Sequence, residues 1–73
     1  MAVIIDDAHP EISNESFAEA ANRAYGQGMK ASDIEGERVQ GTEFQDWTDG
    51  KNLPSQDRRR AIMPQFAAFN EAF

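Results

Sequence analysis

Four apolar side chains near the end of the chain, Ile62, Phe66, Phe69 and Phe73, recur at i, i+4, i+7 and i+11. At about 100° per residue this spacing gathers them into one narrow stripe of a helix. Such a stripe needs a cover, and the nearest cover is the rest of the chain. Towards the beginning, Phe17, Ala20, Ala21, Ala24 and Gly28 mark a second helical face, flanked by Tyr25. That face is almost all alanine, so another element can approach it closely. The expected architecture therefore seats Phe66 and Phe69 against Ala20 and Ala24.

The helix carrying the alanine face should start at Ser13, which can cap it while Ile12 packs forward onto Phe17 as a hydrophobic staple. Ser16 to Glu19 offers a second capping frame three residues on, and Gly26 and Gly28 should end the helix. Ser32-Asp33-Ile34-Glu35 and Thr42-Glu43-Phe44-Gln45 repeat the capping pattern. They predict two further short helices, one weakened at Gly36 and ended at Gly41, the other carrying the i, i+3 pair Phe44 and Trp47. A hairpin around residues 38–47 is the alternative reading of the same stretch, with Gly41 at its turn; three capping patterns in succession favour helix. Asp49-Gly50 is a turn signal. Ser55 should cap the last helical region, which Pro64 is expected to split or sharply kink, giving pieces at about 56–62 and 64–72. Before all of these, Val3-Ile4-Ile5 is a short β-branched run stopped by Asp6-Asp7, and Ala8-His9-Pro10 reads as a turn. The fold class expected is a small mainly-α single domain over residues 1–73, with three to four short helices and residues 1–8 as an extended arm.

Composition narrows what holds this together. The chain has 73 residues and no cysteine, so neither a disulfide nor a thiolate-bound zinc can brace it. A core of this size is expected to supply only about 3–5 kcal/mol net. Helix packing, an oligomer or a partner must do the rest. The opening residues lack the basic start of a secretory signal, and no stretch is long and apolar enough to span a membrane. A cytoplasmic location is the expectation.

Charge is distributed unevenly. Residues 1–50 carry a net charge of −8 and residues 51–73 carry +2, for −6 overall. An acidic body repels nucleic acid and suits a partner with a basic surface. The positive end comes largely from Arg58-Arg59-Arg60, in the first turns after the Ser55 cap. Cations there oppose the helix dipole, so helix formation alone gives no reason for them. They serve either as contacts to a partner's carboxylates or phosphates, or as internal pairs for this chain's many acids. Trp47, the only tryptophan, is either a core residue or an interface hot spot. Val3, Ile4 and Phe73 are apolar residues near the chain ends that can dock on a partner.

Other candidate chemistry falls away. Asp6, Asp7, His9 and Glu11 form the one metal-like cluster, but Pro10 and the turn context provide no regular ligand geometry, and no metal or other cofactor is expected. Gln45 to Gly50 resembles a calcium loop only in its Asp-Gly, since Trp47 and Gln45 stand where ligands are needed. A helix-turn-helix reading finds small and apolar residues at Ala24, Gly28, Met29 and Ile34. Its recognition segment, Ser32 to Glu37, carries three acids that would repel phosphate. One histidine in a turn, serines at caps and no phosphate-binding loop argue against an enzyme. The leading expectation is a small acidic regulator that docks on a larger protein. By analogy of size and charge it would be a phage-encoded modulator or inhibitor of host nucleic-acid machinery such as RNA polymerase or a nuclease. The alternatives are an assembly protein that oligomerises through the aromatic stripe, or nucleic-acid contact through Arg58 to Arg60.

Overall fold

A computed structural model describes residues 11–69. The domain is mainly α: helix α1 spans Asn14–Gly26, α2 spans Gly41–Thr48 and α3 spans Gln56–Phe69, with a 3-10 turn at Ala31–Asp33 between α1 and α2. No strand occurs among the described residues, so the hairpin around 38–47 is replaced by α2.

Helix α1 begins as its capping residues dictate. Ser13 has extended backbone geometry and its hydroxyl accepts the Ser16 N–H at 3.0 Å. Phe17, at the fourth helical position, and Ile12, just before the cap, join the same apolar cluster. The helix closes with Gly28 at φ 100°, where a left-handed turn lets the Met29 N–H reach the Ala24 carbonyl and the Gly28 N–H reach Tyr25. A side chain there would be strained, which is why glycine stands at this position. Helix α2 ends in the same way at Gly50, φ 77°, with Lys51 N–H bonded to Asp46 O and Gly50 N–H to Trp47 O.

Three local expectations need correction. Ser32 does not cap a helix; it lies inside the 3-10 turn, because Asp33 instead takes the Lys30 N–H at 2.9 Å. Gly36, at φ 80°, then turns the chain away before a helix can propagate. The segment from Ser32 to Glu37 is therefore no recognition helix. Thr42 does not cap α2 either. Its start lies two residues earlier, with Gln40 as the cap residue and the Glu43 carboxylate accepting the Gln40 N–H at 3.4 Å. Finally, Pro64 does not divide α3, which runs through it as one helix. Pro64 faces solvent, while Ile62 and Phe66 on either side are held in the core. Tertiary packing thus outweighs the single missing N–H. The Gln65 side-chain amide adds a bond to the Ala61 carbonyl at 3.2 Å, beside the proline.

The core consists of Phe17, Ala21, Ala24, Met29, Ile34, Phe44, Trp47, Ile62 and Phe66. Four aromatic rings form its centre. Phe17 meets Trp47 edge-on at 5.4 Å and Phe66 at 5.4 Å; Phe44 stacks on Phe66 at 5.9 Å and meets Trp47 edge-on at 6.2 Å. Helix α1 packs against both α2 and α3, and the small residues Ala21 and Ala24, fully buried, allow that approach. Phe66 meets α1 at the Phe17 ring and shares that place with the Phe44 ring of α2, while Ala21 and Ala24 belong to the core and Ala20 is only partly buried. Phe69 is less covered than expected: it keeps 37 % of its surface exposed.

Replacing Pro64 by alanine restores the N–H that the Arg60 carbonyl lacks. An interior proline costs about 3 kcal/mol, and alanine gives back up to about 1 kcal/mol of unfolded-chain freedom. Pro64→Ala is expected to stabilise the protein by about 2 kcal/mol in urea denaturation followed by circular dichroism. An unchanged or lower midpoint would mean that α3 is two pieces after all. Phe66→Ala removes a ring that touches two others, and a loss of about 3–5 kcal/mol is expected, enough to abolish the cooperative transition.

Candidate functional site: the arginine cluster of the third helix

The three consecutive arginines leave α3 in different directions, because successive helical residues do not share a face. Arg58 reaches towards the loop before α2 and towards α2 itself. Its Nε donates to Glu37 at 2.7 Å and its NH1 donates to Glu43 at 3.3 Å. The guanidinium lies over the Trp47 ring, 5.5 Å from the centroid. About one third of the side chain is exposed (33 %), so the charge sits in a partly desolvated niche between two carboxylates and an indole. The hydrogen bond to Glu37 leads in raising the arginine's pKa above its ordinary value; partial burial opposes this and the Glu43 contact adds to it. A raised pKa keeps the cation, so this stabilisation persists below the ordinary arginine value and is lost only as pH climbs past the raised one.

Arg59 turns to the other side and binds backbone. It donates to the Pro54 carbonyl at 2.8 Å, to the Ile12 carbonyl at 2.6 Å and to the Asn14 side chain at 2.6 Å. Its guanidinium lies 5.9 Å from the Phe17 ring centroid. Three donors and one planar face are thus committed at the junction of α1 and α3. Arg60 pairs with Asp57 one turn earlier, at 3.3 Å, on a carboxylate that is itself almost fully exposed. The cluster therefore meets this chain's own acids, carbonyls and rings, which is the internal-pairing reading of the three arginines.

Two glutamines of α3 take part, and sequence reasoning passed over both. Gln56 accepts the Ile12 N–H at 2.9 Å and donates to the Ile12 carbonyl at 2.8 Å. Gln65 does the same to Glu35, at 2.6 Å and 2.9 Å. Each amide satisfies both backbone groups of one loop residue, as a neighbouring strand would. Their partners lie 44 and 30 residues away in sequence, so no local pattern announces them.

Trp47 is fully buried, with its Nε1–H bonded to the Asn52 carbonyl at 3.1 Å. Asn52 adopts φ 48° to present that carbonyl, and its own amide donates to Asp46 at 3.1 Å. Trp47 thus bears on the surface only through Arg58 above it. Val3, Ile4 and Phe73, together with Asp6, Asp7 and His9, lie outside the described residues. Among the described residues, no group of three or more histidines, cysteines or acids is placed to hold a metal ion, and no helix is long and apolar enough to cross a membrane.

What remains outside carries both signs, with acids in the majority: Lys30, Arg38 and Lys51 are also exposed and in no ion pair among the described residues. The ion pairs among the described residues join Glu19 to Arg23, Glu37 and Glu43 to Arg58, and Asp57 to Arg60. Glu11, Glu15, Asp33, Glu35 and Asp49 are exposed and belong to none of these pairs. A shallow groove of about 570 Å³ between α1 and the end of α2 is lined by Glu15, Glu19 and Asp49 together with Arg23.

Arg58→Ala would leave two carboxylates facing each other and an uncovered indole, for a loss of about 1–2 kcal/mol. Arg59→Ala would strip three hydrogen bonds from the α1–α3 junction, for about 2 kcal/mol. The double variant should therefore lose most of its far-ultraviolet helical signal. Retention of the parental urea midpoint would show that these contacts do not hold the fold.

No family model, curated protein or solved structure matches this chain.

Proposed function

We propose that this protein is a small, non-enzymatic, acidic binding protein that docks on a larger protein with a basic surface and regulates it. The observation that carries this reading is the direction of the arginines. Arg58 and Arg59 are turned onto this chain's own carboxylates, carbonyls and rings, which leaves Lys30, Arg38 and Lys51 as the exposed bases outside the ion pairs, against the more numerous Glu11, Glu15, Asp33, Glu35 and Asp49 among the described residues. An anionic exterior on a small rigid helical body complements a cationic groove in charge, and it speeds encounter with such a groove. Nucleic-acid-handling enzymes such as RNA polymerases and nucleases carry grooves of that kind. A phage-encoded modulator or inhibitor working in the host cytoplasm is the setting that size and charge favour. It would act by occupying the groove or by standing in for nucleic acid. Direct contact of Arg58 to Arg60 with phosphate would require breaking the bonds they already make, so nucleic acid enters this account through the partner.

A second reading, assembly of several copies, draws on Phe69 and on Tyr25, the two large apolar side chains with substantial exposure among the described residues.

The full chain, tagged and used to capture proteins from a lysate, should recover a partner that then binds the purified protein saturably, with affinity falling as salt rises. Sedimentation of the protein alone should give a monomer at every concentration. Self-association together with no saturable partner would favour assembly and overturn the regulator reading.

A further inference from the structure

A second groove, of about 300 Å³, opens where the end of α3 passes the 3-10 turn. Met29, almost completely buried, contributes to its lining with Ala68 and Phe69; Asp33, Glu35 and Gln65 complete it. Gln65 is already committed to the backbone of Glu35 and to Ala61, so it fixes the groove wall and has little left for a ligand. Asp33 has one carboxylate oxygen on the Lys30 N–H, and Glu35 is in no ion pair among the described residues. No lysine or arginine lines the groove. Its lining thus joins the apolar side chains of Met29, Ala68 and the partly exposed Phe69 with two carboxylates. The larger groove along α1 differs: its carboxylates share it with Arg23, and an Asn22 to Thr48 hydrogen bond crosses between the helices there.

We infer that the Met29–Phe69 slot is the docking site for a basic amphipathic segment of the protein partner, with an apolar side chain seated between Met29 and Phe69 and flanking lysine or arginine side chains on Asp33 and Glu35. The inference rests on the docking-protein reading and gives it a place on the surface. Charge selects this occupant. A second copy of a chain with net charge −6 meets the carboxylates with like charge overall. A basic segment gains both apolar burial and two charge-assisted contacts.

The probe is a helical lysine–leucine amphipathic peptide added to the full-length ¹⁵N-labelled protein, with a glutamate–leucine peptide of the same pattern as control. Saturable shifts are expected at Met29, Glu35, Gln65 and Ala68 with the basic peptide alone. The Asp33→Asn, Glu35→Gln variant, which keeps shape and the oxygen for Lys30, should weaken binding about tenfold, as two surface charge pairs together supply roughly one factor of ten. Phe69→Ala should weaken it while leaving the urea midpoint close to that of the parent. Shifts centred on Glu15, Glu19 and Asp49, or unchanged affinity in both variants, would overturn the site. So would contacts between the Phe73 ring and the Met29 methyl in the free protein, which would put the chain's own end in the slot. The two readings fail separately. A recovered partner that binds both variants as tightly as the parent removes the slot and leaves the docking protein. A peptide seated in the slot with no recoverable partner does the reverse.

Discussion

Contact among four rings, Phe17, Phe44, Trp47 and Phe66, is the interaction on which the other features depend. Each helix contributes at least one ring, and the cluster is closed: Phe17 and Phe44 each touch both Trp47 and Phe66. Edge-on and offset contacts of this kind add to the stabilisation from burial, and they also define how three short helices are oriented. Without disulfides, a chain of this length has few other ways to specify a single arrangement. The alanines of α1 matter for the same reason. Ala21 and Ala24 leave room for rings that a larger side chain would push away.

Around this centre, α3 works as a polar brace. Gln56 and Arg59 hold the entry to α1, Gln65 holds the loop after the 3-10 turn, and Arg58 holds Glu37 and Glu43 beside Trp47. The aromatic face of α3 and its hydrogen-bonding side chains thus reach different neighbours from one rigid helix. The consequence is electrostatic. Arg58 and Arg59 are drawn onto the fold's own acids, carbonyls and rings, and the exposed charges outside the ion pairs among the described residues are Glu11, Glu15, Asp33, Glu35 and Asp49 with Lys30, Arg38 and Lys51.

Much of this was legible in the residues. The Ser13 cap with Ile12 and Phe17, the glycine end at Gly28, the turn at Asp49-Gly50 and the buried stripe of Ile62 and Phe66 all express local rules, and the structure follows them. The misread features are those decided at a distance. Pro64 carries a real local penalty, but the burial of Ile62 and Phe66 on either side of it keeps α3 whole. Ser32 and Thr42 looked like caps, yet Asp33 and Glu43 each accept the N–H three residues before them, and this shifts both starts. The glutamine contacts and the particular acids that meet Arg58 join segments far apart in sequence, and periodicity holds no information about such pairs. Phe69 fits the stripe as well as Phe66 does, but it lies at the end of α3 where less of the body remains to cover it.

The ring cluster can be observed directly. In a nuclear Overhauser spectrum of the full-length protein, the Phe66 ring protons should show cross-peaks to both Phe17 and Phe44, and the Trp47 indole should show cross-peaks to Phe17. Ring protons of Phe66 and Trp47 with random-coil shifts and no contacts between α1 and α3 would contradict the account at its centre.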